Sequence, residues 1–192
     1  MLSHEFILQH RIMEESPAGI SLVVKINQGL FEDERPGDNG ALFSGRFSPP
    51  TKAHMQIISD AFTKYDTVTL NIVKSGKVND ENPFPLELQV SIWAAVFPQL
   101  AIQISKTGYL PAIIEEAVNN IKVVLAGTDR KDDYERLLLK LPDVRVETIP
   151  RTDKDISASK IRKALQNNDV KTFKQMMHPK TYKFYNELKQ YV

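Results

Sequence analysis

The chain has 192 residues, 42% of them hydrophobic and 26% charged, which suits one globular domain with a single core and excludes a fibrous, collagen-like or disordered protein. It has no Cys, so disulfides and thiolate metal sites are excluded, as expected of a cytoplasmic protein. The formal net charge is +1 and makes no overall case for nucleic acid; no apolar run approaches the ~20 residues of a membrane span, and residues 1–20 lack the pattern of a signal peptide.

Charge is nonetheless uneven. Residues 1–40 hold 3 Lys and Arg against 7 Asp and Glu, whereas residues 151–192 hold 10 against 4. The basic end leaves three readings open: a nucleic-acid face, half of a phosphate site, or a solvated helical surface.

In chain order, residues 1–40 read as an appendage. Phe6, Ile7 and Met13 suggest a short amphipathic helix, "ISLVVKI" a strand, and "FEDERPGDNG" an acidic linker punctuated by Pro and Gly, which sets the boundary of a second unit, residues 41–192. From there short apolar runs alternate with helix-period segments. "ALFSG", "TVTLNIV", "LAIQIS", "IKVVLAG" and "VRVETIP" read as strands, and 52–64, 86–97, 111–119 and 131–140 as the helices between them. Helices at 157–167, 170–176 and 180–190 close the chain. Trp93, at helical spacing with Leu86, Val90 and Phe97, reads as core. The pattern predicts an α/β, Rossmann-like, doubly wound parallel sheet of five strands with helices on both faces, and a ligand site beyond the carboxyl ends of the strands.

The stretch "GRFSPPTKAH", residues 45–54, is the turn from the first core strand into the first core helix. Gly45 permits a tight turn or a close approach, Pro49 and Pro50 stiffen the entry, and Thr51 is a good N-cap. His54 lies one turn on, on the same side as Thr51. With Arg46 beside them, these groups make an anion site at a helix start, and phosphate is the obvious anion. A second helix start lies at "DISASKIRKAL", residues 155–165: Ser157 as cap, Ser159 in the first turn, and Lys160 and Arg162 with side chains long enough to reach a phosphate. In "VVLAGTDRKDDYERL", Gly127 and Asp129 follow the fourth core strand.

The first stretch resembles the phosphate-binding signature G-x-F-x-P-x-H/T-x-G-H of the nucleotidylyltransferase superfamily, filled by Gly45, Phe47, Pro49, Thr51 and His54, with Ala53 in the Gly position. The second resembles that family's I-S-x-S/T-x-I/V-R motif. "AGTD" is similar to the G-S/T-D segment that contacts ribose and base, and "NPF" around Phe84 to a stretch of archaeal-type nicotinamide-mononucleotide adenylyltransferases, whose following E-R pair is here Leu88 and Gln89.

The resemblance implies an adenylyltransferase of NAD biosynthesis. The acceptor phosphate, nicotinamide mononucleotide first among candidates, attacks the α-phosphorus of ATP and pyrophosphate leaves. It gives Thr51, His54 and Arg162 the catalytic positions, and Gly45, Arg46, Phe47, Lys52, Gly127, Asp129, Ser157 and Ser159 the nucleotide. Mg²⁺ would ride on the triphosphate and water, without a protein metal cluster. A cytidylyltransferase acting on a phosphorylated alcohol, to which "RTDKDIS" is similar, and an inactive nucleotide- or RNA-binding domain remain as alternatives. Self-association and docking of residues 1–40 on another protein stay open.

Overall fold

The computed structural model describes residues 9–11, 22–25, 39–74, 79–149 and 156–192. Five parallel strands form its centre: β3 (Gly40–Gly45), β4 (Thr67–Val73), β5 (Ala101–Ser105), β6 (Ile121–Gly127) and β7 (Arg145–Ile149). Two strands from the first forty residues, β1 (Gln9–Arg11) and β2 (Leu22–Lys25), extend the sheet to seven in the order β1-β2-β5-β4-β3-β6-β7. β2 runs antiparallel to β5, and β1 antiparallel to β2. The expected N-terminal helix is thus corrected at Gln9–Arg11, because the open edge of β2 offers a ladder of backbone partners that outweighs a local helical period. Phe6, Ile7 and Met13 lie outside the described residues.

The chain turns back between β3 and β6: β3, β4 and β5 step one way across the sheet, and β6 and β7 lie on the other side of β3. The carboxyl ends of β3 and β6 are therefore the switch point, where an open parallel sheet leaves a crevice. Backbone contact is close at the other end of the same pair. Gly40 donates its N–H to the carbonyl of Asn120 at 3.1 Å, and a Cβ on Gly40 would collide with that oxygen; only Gly allows the approach.

Strand alternation distributes the core over two faces. Ala41, Phe43, Leu70, Ile102 and Leu125 face α1 (Lys52–Phe62), α2 (Leu86–Val96) and the C-terminal helices, whereas Leu42 and Val124 face α3 (Leu110–Glu115) and α4 (Lys131–Leu137). α3 stops short of residue 119. Its continuation, "AVNN", has three weak helix formers after Ala117, and Asn119 donates its side-chain N–H to Thr69 Oγ1 at 2.9 Å.

The C-terminal helices α5 (Ala158–Gln166), α6 (Val170–Met176) and α7 (Tyr185–Lys189) rest on the α1/α2 face through Ile161, Leu165, Phe173 and Leu188. Asn168, at φ 56°, makes the left-handed turn between α5 and α6, the conformation that Asn tolerates best after Gly. The expected helix at 180–190 is a 3-10 turn, Pro179–Phe184, running into α7. This anchoring matters because α5 carries the second motif on its first turn.

Candidate active site

The elbow between β3 and α1 is held by a reciprocal cap. Thr51 is buried, its hydroxyl oxygen accepts the His54 N–H at 3.3 Å, and its own N–H donates to His54 Nδ1 at 3.1 Å. His54 thus occupies the place that Glu or Gln takes in a capping box. Because the Thr51 N–H can only donate, Nδ1 is the acceptor, and the neutral imidazole carries its proton on Nε2. The Thr51 hydroxyl also lies 3.1 Å from Nδ1.

Aromatic packing fixes the ring plane. His54 meets Phe47 edge-on, with centroids 5.2 Å apart, and Phe47 meets Trp93 the same way at 5.4 Å. Phe47 is 5% exposed and sits at φ 50°, a left-handed backbone that a bulky residue adopts only when its surroundings hold it there. Its ring folds back over Gly45, where a Cβ would stand 2.9 Å from Phe47 Cζ. Phe47 therefore belongs to the aromatic support beneath His54, and Trp93 is fully buried beside it.

The second motif arrives from above. Ser157 caps α5 by accepting the Lys160 N–H at 3.2 Å, and its hydroxyl lies 3.1 Å from that of Ser159. From the same helix, Arg162 Nη1 donates to the carbonyl oxygen of Ser48 at 2.6 Å. The N-termini of α1 and α5, with their partial positive charge, border one cleft of about 1420 Å³, to which Gly45, Arg46, Phe47, Thr51, His54, Gly127, Asp129 and Ser157 contribute. Arg162 lines an adjoining recess instead, together with Arg46 and His54. Lys52 and Ser159 are exposed and lie outside the walls of both cavities.

The walls of the cleft also include residues that no motif announced. Tyr65 OH donates to Glu147 Oε2 at 2.5 Å and Lys64 Nζ to Glu147 Oε1 at 2.9 Å, joining the end of α1 to β7. Burial first, and then the Glu147 carboxylate, push the Tyr65 phenol up to about 12. The Tyr65 hydrogen bond, reinforced by Lys64, holds Glu147 below its ordinary value. Burial also raises Tyr134, on α4. Among the described residues no group of three or more His, Cys, Asp or Glu is placed to hold a metal ion, and no helix is long and apolar enough to cross a membrane.

No family model matches the chain and no curated protein matches its sequence. Solved structures do share its fold. A bifunctional NMN adenylyltransferase/ADP ribose pyrophosphatase from Francisella tularensis superposes with a TM-score of 0.64 at 20% identity, over 80% of this chain and 52% of that one. The chain thus spans about half the length of the Francisella protein. The nicotinic acid mononucleotide adenylyltransferase of Plasmodium falciparum, complexed with APC, gives 0.59 at 16% identity over 81% and 98% of the two chains. Thermotoga maritima TmcAL, bound with alpha-thio ATP, gives 0.58 at 11% identity over 78% and 55%. The fold is the Rossmann-like α/β fold that these structures share. It carries a crevice at the switch point of the sheet, with two capped helix starts on its border.

Proposed function

We propose that the protein is a nucleotidyltransferase that transfers AMP from ATP to a phosphorylated small molecule, nicotinamide mononucleotide being the preferred acceptor, with release of pyrophosphate. The observation that carries this reading is the hydrogen bond from Arg162 to the Ser48 carbonyl. It ties the two motifs, far apart in sequence, to the junction of the main cleft and its side recess. The adenylyltransferase structures that share the fold support the class of reaction, and the "NPF" stretch supports the acceptor.

In the reaction an oxygen of the acceptor phosphate forms a bond to the α-phosphorus of ATP as the bond to the bridging β-phosphate oxygen breaks, and its electron pair leaves with pyrophosphate. The nucleophile is already an anion and needs no general base. The protein's work is to hold two polyanions in line and to offset charge on the leaving group.

His54 Nε2–H, aimed by the Thr51 cap and the Phe47 ring, donates to the phosphate oxygens that gain charge. Ser157 and Arg162 take the β- and γ-phosphates, with Arg46 adding positive charge where the two cavities meet; Lys52 and Ser159, outside both walls, make no phosphate contact. Gly127 and Asp129, at the end of β6, serve the ribose and base. Mg²⁺ bound to the triphosphate supplies further charge neutralisation, and the oxygen-rich triphosphate with its waters suits that ion.

The test is pyrophosphate release with each of the four nucleoside triphosphates against nicotinamide mononucleotide, nicotinate mononucleotide, phosphopantetheine and phosphocholine. ATP with nicotinamide mononucleotide gives the highest kcat/KM. Turnover with CTP and phosphocholine instead would assign a cytidylyltransferase, and nucleotide binding without turnover would leave a binding domain.

A further inference from the structure

Beside the main cleft a recess of about 230 Å³ opens between the two motifs and the turn at residues 79–82. Arg46, His54, Arg162, Glu81 and Asn82 line it. It joins the main cleft at Arg46, Phe47, His54 and Ala158, which border both cavities. On the nucleotidyl-transfer reading, a polyphosphate with its nucleoside end in the main cleft and its α-phosphate at His54 would extend toward the recess with its far end.

One lining residue, Glu81, does not belong to a pure anion site, and beside it stands the Asn82 amide, whose oxygen can hold a cation and whose N–H₂ can hold an anion. Glu81 puts a carboxylate near the Arg46 guanidinium, in a recess that Arg162 also lines. Its Oε2 stands 4.0 Å from Arg46 Nη1, too far for a hydrogen bond, and its side chain is 79% exposed, so this pair is weak. Asn82 is 8% exposed, yet its side-chain amide makes no hydrogen bond to any described residue. Neither residue is there by accident of a loose loop, since Asn79 Oδ1 accepts the N–H groups of both, at 3.0 and 2.9 Å.

A carboxylate turned toward phosphates repels them unless a cation stands between. Mg²⁺ takes oxygen ligands, commonly one or two from the protein, others from phosphates, and keeps several waters. A carboxylate and an unpartnered amide carbonyl at the phosphate end of the site form such a donor set, and the exposure of Glu81 leaves room for the waters. We propose that Glu81 and Asn82 hold the divalent cation that accompanies the β- and γ-phosphates. The inference rests on the nucleotidyl-transfer reading, from which it takes the polyphosphate.

The test uses the full chain and no turnover. Binding of α,β-methylene ATP, which cannot release pyrophosphate, is titrated calorimetrically in EDTA and in Mg²⁺, and Mn²⁺ held by the same complex is followed by electron paramagnetic resonance. In the wild type, metal tightens the analogue about tenfold. In Glu81→Gln that gain shrinks to less than threefold. The metal-free analogue binds this variant about fivefold tighter than it binds the wild type, the weight of one unit charge ~4 Å away in water. Mn²⁺ affinity falls about tenfold in Glu81→Gln and in Asn82→Ala.

A Glu81→Gln protein that keeps its metal gain, or that loses affinity equally with and without metal as a merely structural turn would, overturns the proposal. Wild-type pyrophosphate release together with an unchanged metal gain in the variant sinks this inference alone. Metal coupling through Glu81 with no release for any acceptor sinks the transfer reading alone, and a wild type that binds no analogue at all sinks both.

Discussion

Arg162 and Ser48 are joined by a hydrogen bond of 2.6 Å across a separation of 114 residues, so the guanidinium of the last motif clamps the backbone of the first. One of its five N–H donors makes the clamp, and the others can serve phosphate oxygens. Arg162→Ala removes both uses. Loss of a partly exposed, charge-assisted bond lowers stability by about 1–2 kcal/mol, and loss of a positioned donor lowers turnover ~10²–10³-fold. Arg162→Lys keeps the charge without the planar fork and recovers little of either. Urea midpoints and pyrophosphate release measure the two effects, and a variant normal in both would end this account of the clamp.

His54 has a capping part and a chemical part, and two substitutions separate them. His54→Ala deletes the side chain that accepts the Thr51 N–H, which costs about 1 kcal/mol of stability, as a lost helix cap does. His54→Gln restores a capping box and most of that stability, but it cannot return the Nε2–H to its place. Both variants lose turnover ~10²–10³-fold. If Gln restores turnover along with the melting temperature, the imidazole was only a cap.

Much of this was legible because it is local. A Gly, two prolines, a capping hydroxyl and a His within ten residues announce a helix start built for an anion, and the strand-helix alternation announces the parallel order around it. What could not be read depends on partners far away in sequence. Gln9–Arg11 pair with β2, whose edge no local period describes. Glu147 lines the cleft and accepts a hydrogen bond there from Tyr65, 82 residues earlier. Glu81 precedes the "NPF" stretch and Asn82 opens it, yet nothing in their spacing shows that the turn borders the same recess as Arg46 and Arg162. Phe47 was legible as a motif residue, but its place in the ring stack between His54 and Trp93 needed the fold.

Phe47 inverts the usual order of small substitutions. Removing its buried ring destabilises the fold by ~3–5 kcal/mol, the range for a core Phe. At φ 50°, however, an Ala keeps the left-handed strain of about 1–2 kcal/mol that a Gly does not feel. Phe47→Gly is therefore more stable than Phe47→Ala by about 1 kcal/mol, opposite to their order in a helix or strand. Thermal and urea melts of both proteins decide it, and Ala above Gly would show that the backbone relaxes out of the left-handed region.

Tyr65 and Glu147 give stability a pH signature at both ends. Glu147 is held below its ordinary 4.5, first by the Tyr65 hydrogen bond and then by Lys64. The unfolded chain therefore binds its proton at higher pH than the folded one, and stability falls as the medium is acidified from about 4.5 through the lowered folded value. Tyr65 is raised from 10.0 to about 12, so the folded protein keeps a proton that the unfolded chain has shed. This contribution is complete below pH 10 and is lost as the pH rises toward about 12. Tyr65→Phe flattens the alkaline loss relative to the wild type and, by removing the main cause of the Glu147 shift, most of the acid loss too. Glu147→Gln abolishes the acid component but only reduces the alkaline one, because burial is the largest cause at Tyr65. Urea midpoints of the three proteins across the pH range expose this asymmetry. Three parallel curves would mean that the contact between α1 and β7 does not couple to folding.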